Sequence, residues 1–420
     1  MKLHFHLIAA VVSSLQDVFI DGRHADKVIE HQFKQHPKWG ARDRRLFAET
    51  VYDMVRWWRW LWHLAGLPEK AALVPAEITV KRLWHVWAAY WVNKGEFLPP
   101  FPEVSEFNPS MVAHLREAKV GPALKASIPD WIYELGSREL GEAWPGVLEV
   151  LNQPADVFLR ANALKCTTTE LKKRLAEEGT IGNQVSGVPG ALRLTERKNV
   201  FQSPAFREGW FEVQDAASQK IAPFLQVEPS MRVVDSCAGA GGKALHLACL
   251  MKNKGRIIAM DIHEWKLKEL RKRAGRSGAD IIEARLIEDT KAIKRLAGDA
   301  DRVLLDVPCS GLGVLRRNPD AKWKLSPAEI DRLQKLQAEI LLSHSRMVKP
   351  GGKLVYATCS ILPGENQNQV AAFLAAQPPG LWTLEEEITL HPSAQTGDGF
   401  YAARLVRTQD APSPPVQSEK

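Results

Sequence analysis

Two cysteines in this 420-residue chain stand where covalent chemistry could be done. Cys309 lies in Asp306-Val307-Pro308-Cys309-Ser310-Gly311-Leu312-Gly313, and Cys359 lies in Ala357-Thr358-Cys359-Ser360. A single cysteine is most often a small buried hydrophobe. Two of them, each just past a strand-like run (Arg302–Asp306 and Lys353–Thr358), point instead to a pair of thiols facing one cleft. That pair suits methylation at carbon 5 of a pyrimidine. The ring is electron-poor and carbon 5 has no lone pair, so it must first be activated. A thiolate adding to carbon 6 turns carbon 5 into an enamine-like nucleophile that can take a methyl group. The adduct must then lose the carbon 5 proton and expel the thiol, a step that a second thiol can assist. Methylating an exocyclic nitrogen needs no covalent step and usually places an aromatic where Cys309 follows Pro308. Asp306 would face the Watson–Crick edge, bonding the ring N3 and the amino group. These residues alone do not rank which thiol attacks.

A second motif supplies a place for the methyl donor. Val233-Val234-Asp235 runs into Ser236-Cys237-Ala238-Gly239-Ala240-Gly241-Gly242-Lys243, and an apolar helix begins at Ala244. A Gly-rich turn between a strand and its helix lets the backbone approach a ligand closely. Cys237 and Ala244 stand where a P-loop needs Gly and Ser or Thr, which excludes that type of ATP or GTP binding. A dinucleotide fingerprint is reduced to Gly239-x-Gly241. Asp261 follows Gly242 by nineteen residues, the position at which a carboxylate accepts hydrogen bonds from ribose hydroxyls. S-adenosylmethionine has that ribose and no pyrophosphate, so it fits this turn better than a dinucleotide. Cys237 and Cys249 themselves read as small buried hydrophobes.

The elements that must position these motifs follow from periodicity. From Met231 onward, strand candidates Arg232–Asp235, Arg256–Asp261, Ile281–Arg285, Arg302–Asp306 and Lys353–Thr358 alternate with helical stretches, which calls for a doubly wound, mostly parallel α/β sheet. Residues 127–210 mix helical segments (Trp131–Leu140, Thr169–Glu177) with strand-like ones (Val157–Arg160, Ala191–Leu194, Gly209–Val213) and read as a small α+β module for RNA recognition. The first 126 residues read as a helical domain, ending after a Pro-rich connector from Leu98 to Pro109. It holds eight of the fourteen tryptophans: Trp39, Trp57, Trp58, Trp60, Trp62, Trp84, Trp87 and Trp91. With Arg42, Arg44, Arg45, Arg56 and Arg59 interspersed they serve two readings, an RNA-stacking surface or an aromatic core with arginines on the wet face. The expected domains are therefore 1–126, 127–210 and 211–407, with a disordered polar tail over 408–420.

Composition narrows the classes. With 45% hydrophobic and 25% charged residues the chain is neither disordered nor rich enough in long apolar runs to span a bilayer. Five scattered cysteines without Cys-x-x-Cys spacing argue against a disulfide framework or a zinc cluster, and for the cytoplasm. The apolar start from Leu3 to Val12 is interrupted by His4 and His6 and is not read as a secretion signal. A net charge of +7 permits a polyanionic partner. Two basic groups are candidates for phosphate contact: Lys266, Lys268, Arg271, Lys272, Arg273 and Arg276 on one helix, and Arg316, Arg317, Lys322 and Lys324 after the Pro-Cys motif. Helix charge runs are commonly a solvated face, so the second group is preferred.

At these motifs the chain resembles the Sun/Nop (RsmB-like) family of S-adenosylmethionine-dependent RNA 5-methylcytosine methyltransferases. The resemblance covers about Ser127 to Arg407. It is carried by Ser127-Ile128-Pro129-Asp130-Trp131, by both cysteine motifs, by Pro363-Gly364-Glu365-Asn366 and by Gly397-Asp398-Gly399-Phe400-Tyr401-Ala402. It implies a Rossmann-like class I methyltransferase domain, Cys359 as nucleophile and Cys309 in product release. It also implies cofactor contacts at Cys237, Ala238, Gly239, Ala240, Gly241, Gly242, Lys243, Asp261, Asp289 and Asp306, with Asp289 bonding the adenine amine. The family turn usually reads Cys-Ala-Ala-Pro-Gly-Gly-Lys; here Gly239 and Ala240 replace Ala-Pro. Ala41 to Trp60 is similar to the end of the NusB-like domain that some members carry. The expected partner is RNA, ribosomal in preference to transfer RNA, with no membrane, no metal and a monomeric chain. The rivals are a nitrogen or small-molecule methyltransferase on the same sheet and an RNA-binding assembly factor with a vestigial cofactor site.

Overall fold

In the computed structural model, residues 3–393 and 397–408 are described; of the tail expected over 408–420 only Thr408 is among them, and its N–H donates to the Leu381 carbonyl at 3.0 Å. The chain forms two compact units, Met1–Gln153 with Leu315–Ser326, and Pro154–Val314 with Pro327–Lys420.

The first unit is helical. Its main helices are Phe5–Phe19, Ala25–Gln35, Ala41–Arg56, Trp58–Leu64 and Val80–Asn93. Apolar side chains recur at three- and four-residue steps along them, and the stripes close on one core. Trp58, Trp62 and Trp87 are fully buried there, Trp84 and Trp91 nearly so, and Trp39, Trp57 and Trp60 pack against the same cluster. The tryptophans are thus core. Trp58 stacks on Phe19 at 3.8 Å between ring centroids, and its Nε1 donates to the Ala72 carbonyl at 2.8 Å. The apolar start of the chain is the first helix, with Leu7, Ile8, Val11 and Leu15 in this core. Helices Asp130–Leu140 and Trp144–Leu151 also belong to this unit. By its contacts this unit runs to Gln153.

Leu315–Ser326 belongs to the helical unit as well, which changes the expected RNA footprint. Lys322 is 1% exposed and Arg316 3%. The Lys322 ammonium donates to the Arg56 carbonyl at 2.8 Å and to Asn152 Oδ1 at 3.2 Å, while Trp323 Nε1 donates to the Val55 carbonyl at 2.7 Å. Those carbonyls end the helix Ala41–Arg56, where backbone acceptors lack helical partners and favour a cation. Burial, and then the Arg56 charge, push the Lys322 amine well below its ordinary value. Lys324 is half-buried and bonds Asp320 Oδ2 at 2.6 Å and the Arg23 carbonyl at 2.9 Å. Arg316 and Lys322 are therefore structural residues of the helical unit rather than displayed phosphate contacts, and Arg317 is half-buried.

The second unit carries two sheets. The smaller one comprises β1 (Phe158–Ala161), β2 (Gly182–Gln184), β3 (Ala191–Leu194) and β4 (Phe211–Val213) in the order β2-β3-β1-β4, wholly antiparallel. A capping box between Thr167 and Glu170 starts its helix Thr168–Glu177. The larger sheet comprises β5 (Arg232–Asp235), β6 (Arg256–Asp261), β7 (Ile282–Leu286), β8 (Ala300–Asp306), β9 (Val348–Thr358), β10 (Trp382–Leu390) and β11 (Phe400–Arg407). Its order is β10-β11-β9-β8-β5-β6-β7. Strands β5 to β9 pair in parallel, while β11 and β10 add antiparallel at one edge. Val233, Val234, Ile257, Ile258, Val303 and Leu304 are fully buried because helices cover both faces. This is the doubly wound sheet expected from the alternation, extended by two strands that the sequence did not reveal. The order reverses at β5, so a crevice opens at its carboxyl end.

Replacing Trp58 with alanine removes a fully buried ring and one hydrogen bond. It should destabilise the helical unit by about 3–5 kcal/mol in chemical denaturation, while the RNA affinity of the folded fraction stays unchanged.

Candidate active site

Parallel pairing of β5, β8 and β9 delivers the three chemical motifs to one edge. The Gly-rich turn follows β5, the Pro-Cys loop follows β8, and Cys359 follows β9. The two thiols meet there: Cys309 Sγ and Cys359 Sγ are 3.4 Å apart, both half-buried. The hydrogen bond with Cys359, then burial and the Glu365 charge, hold the Cys309 thiol well above its ordinary value.

Asp306 closes β8 and faces Lys243 from the turn, with Nζ to Oδ2 at 2.5 Å. Burial opposes the Lys243 charge, but the Asp306 carboxylate outweighs it and raises the ammonium above its ordinary value. The same ammonium lies 5.4 Å from the centroid of the Phe400 ring. Lys243, expected among the cofactor contacts, is thus committed to Asp306.

Backbone geometry shapes the turn. Gly239 has φ +55 and Gly241 φ +88, the left-handed region that favours glycine. A Cβ on Gly241 would sit 2.7 Å from Leu270 Cγ, whereas one on Gly239 would meet nothing within 4 Å. Gly241 is needed for packing; Gly239 borders open space. Two guanidiniums hold the turn from behind, Arg273 donating to the Ala240 carbonyl at 2.8 Å and Arg160 to the Gly242 carbonyl at 2.7 Å. Arg273 also pairs with Glu212 at 2.9 Å. Asp261, at the end of β6, accepts from Gly239 N at 3.0 Å and His263 N at 2.9 Å. Ile262 and Trp265 are each 66% exposed beside it. Asp289 caps the helix Thr290–Lys294 and is exposed.

Residues without an assigned role in the sequence reading complete the site. Asp235 is buried at the end of β5, and its carboxyl has no side-chain donor within reach. Burial, then the neighbouring Asp306 charge, push it up to about 7. Ser236 Oγ is likewise buried without a partner. Glu365, in the quoted Pro-Gly-Glu-Asn turn, bonds the loops of both cysteines. Gly313 N donates to the Cys359 carbonyl at 3.0 Å, and Gly399 N to the Gly313 carbonyl at 2.8 Å, so the Gly-Asp-Gly-Phe segment closes over the loops. The signal for Asp235 was available, as the last residue of the strand that feeds the turn.

An open cradle at Gly239, unpartnered polar groups at Asp235 and Ser236, and the Asp261 carboxylate fit a ligand carrying hydroxyl and ammonium donors. Among the described residues no cluster suits a metal ion, and no helix is long and apolar enough to cross a membrane.

The chain matches two family models. The one described as 16S rRNA methyltransferase RsmB/F covers residues 222–406, and a ferredoxin-like domain of RsmF/B-like methyltransferases covers 128–201. A probable ribosomal RNA small subunit methyltransferase B from Synechocystis is 32% identical over 93% of this chain and 97% of its own length. The ribosomal RNA small subunit methyltransferase B of Klebsiella pneumoniae is 36% identical over 67% of this chain and 66% of its own length. The crystal structure of a methyltransferase homologue from Pyrococcus horikoshii superposes with a TM-score of 0.61 at 26% identity, covering 69% of this chain and 100% of that one.

Because Cys309 is held protonated chiefly by Cys359, its alkylation should rise only at a pH above that of an ordinary thiol. In Cys359→Ala that midpoint should move down. Site-resolved peptide mass spectrometry with iodoacetamide across pH measures both.

Proposed function

Because the chain belongs to the RsmB/F family of 16S rRNA methyltransferases, we propose that it methylates carbon 5 of a cytosine in ribosomal RNA with S-adenosylmethionine as methyl donor. The observation that carries this reading is the pair of thiols 3.4 Å apart at the ends of neighbouring parallel strands. A nitrogen methyltransferase has no use for two.

Residues 237–242, Asp261 and Asp289 would hold the cofactor, with Ile262 offering apolar surface to its base. When bound, the cofactor supplies an electrophilic methyl group. Cys359 attacks carbon 6 as thiolate, and electron density passes through the ring to carbon 5. Asp306, oriented by Lys243, accepts from the amino group and, on taking up a proton, would donate to N3 and support that density. Once carbon 5 carries the methyl group, its proton must leave and the bond between carbon 6 and the Cys359 sulfur must break. Cys309, in contact with the departing sulfur, would pass it a proton as the bond between carbon 6 and sulfur breaks and, then a thiolate, take the carbon 5 proton. Asp235, with its value near 7, stands close enough to Asp306 to sense its charge. Of the basic residues after the Pro-Cys motif, Arg317 and Lys324 retain the partial exposure that a phosphate contact requires.

Cys359→Ala should abolish both methylation and covalent protein–RNA complexes. Cys309→Ala should permit attack and methyl transfer but slow release, leaving a complex that survives denaturing electrophoresis. A trapped complex in Cys359→Ala instead would exchange the two roles, and methylation retained in both variants would refute covalent chemistry. Asp261→Ala should weaken binding of the cofactor by about tenfold or more, the worth of a charge-assisted hydrogen bond, while RNA binding persists; calorimetry reads the first and filter binding the second.

A further inference from the structure

Glu365 is completely buried, and four donors surround its carboxylate. Oε1 accepts from Ser310 N at 2.8 Å and Gln337 Nε2 at 2.9 Å; Oε2 accepts from Ser310 Oγ at 2.5 Å and from Ser360 Oγ. Ser310 directly follows Cys309, and Ser360 directly follows Cys359. One carboxylate thus grips the residue after each thiol, and the two serine hydroxyls also meet at 3.2 Å. Gln337 ties the same network to the Pro308 carbonyl at 3.0 Å. On the other side, Asn366 Nδ2 donates to the Ser360 carbonyl at 3.1 Å and Asn366 Oδ1 accepts from Thr358. The Glu365 carbonyl accepts from the Tyr356 hydroxyl at 2.6 Å, so the turn is anchored to β9 itself.

The two loops come from different strands, and the sheet fixes only where they begin. A sulfur–sulfur separation of 3.4 Å needs the loops themselves to be fastened together. We propose that Glu365 is a positioning residue: by binding Ser310 and Ser360 to one carboxylate it sets the distance between the two thiols and keeps the releasing one beside the attacking one. A carboxylate suits this place because every group facing it donates. The consequence for turnover rests on the two-thiol reaction above, but the clamp itself does not.

The test measures thiol spacing without RNA or cofactor. Dibromobimane, which must react with two neighbouring thiols to bridge them, is added to the full-length protein, and the Cys309–Cys359 cross-linked peptide is followed by mass spectrometry. Glu365→Ala should slow bridging by about tenfold or more, because a buried network loses all its acceptors, while single alkylation of Cys359 continues. Glu365→Gln should restore most of the bridging, since the amide carbonyl still accepts from Ser310 N and the hydroxyls can turn to accept from its NH2. With RNA and cofactor present, Glu365→Ala should lower kcat by about 10²-fold, the effect of a misplacement near 1 Å, with KM little changed and protein–RNA adduct accumulating. Should Glu365→Ala fail to fold by circular dichroism, the Ser310→Ala/Ser360→Ala pair removes one hydroxyl from each loop and is read the same way. Bridging as fast as in the wild type in these variants overturns the clamp, whatever happens to methylation. Slowed bridging with a product other than 5-methylcytosine leaves the clamp standing and overturns the proposed reaction instead.

Discussion

Parallel strands must all end at the same edge of a sheet, and that constraint organises the catalytic unit. Because β5, β8 and β9 pair in parallel, their carboxyl ends lie side by side, and each starts a loop with a different task. The first loop is the Gly-rich turn, the second brings Asp306 and Cys309, and the third brings Cys359. The three loops lie far apart in sequence; ladder hydrogen bonds remove the distance. What the sheet leaves undecided, the last few ångströms between loop tips, is set by polar side chains that the loops share.

Two buried carboxylates in this unit show how environment assigns different roles to one chemical group. Glu365 has both oxygens filled by donors, so its charge is stabilised by dipoles and it serves as a fixed joint. Asp235 is equally buried but lacks such donors and faces the negative charge of Asp306. Desolvation then dominates and it titrates near neutrality.

Much of the catalytic unit was legible in sequence because strands buried on both faces read as continuous apolar runs, as in Arg256–Asp261 and Arg302–Asp306. The thiol pair and Asp306 were legible from their loop chemistry, and their convergence followed from topology. Strand β10 was not, since Trp382–Leu390 is an edge strand with most side chains in water and no apolar face to announce it. Nor was the destination of helix Asp130–Leu140, because periodicity shows that a helix has an apolar stripe but not which core receives it. The basic run after Cys309 misled for a related reason. Charge is visible in sequence and accessibility is not, and Lys322 is buried with its amine turned to the Arg56 carbonyl at a helix end. The Gly239-Ala240 departure was legible as extra backbone freedom, and the structure uses it at a position with φ +55.

The crossing of the chain between its two units bears on how the protein is made. The helical unit occupies the first 153 residues but takes its final segment from Leu315–Ser326. During synthesis its helices emerge early, yet the Val55 and Arg56 carbonyls wait for Trp323 and Lys322 until four strands of the large sheet have been translated. The helical unit therefore completes only after the Pro-Cys loop exists, and the ordering of the nascent chain links the maturation of a domain without cysteines to the arrival of Cys309.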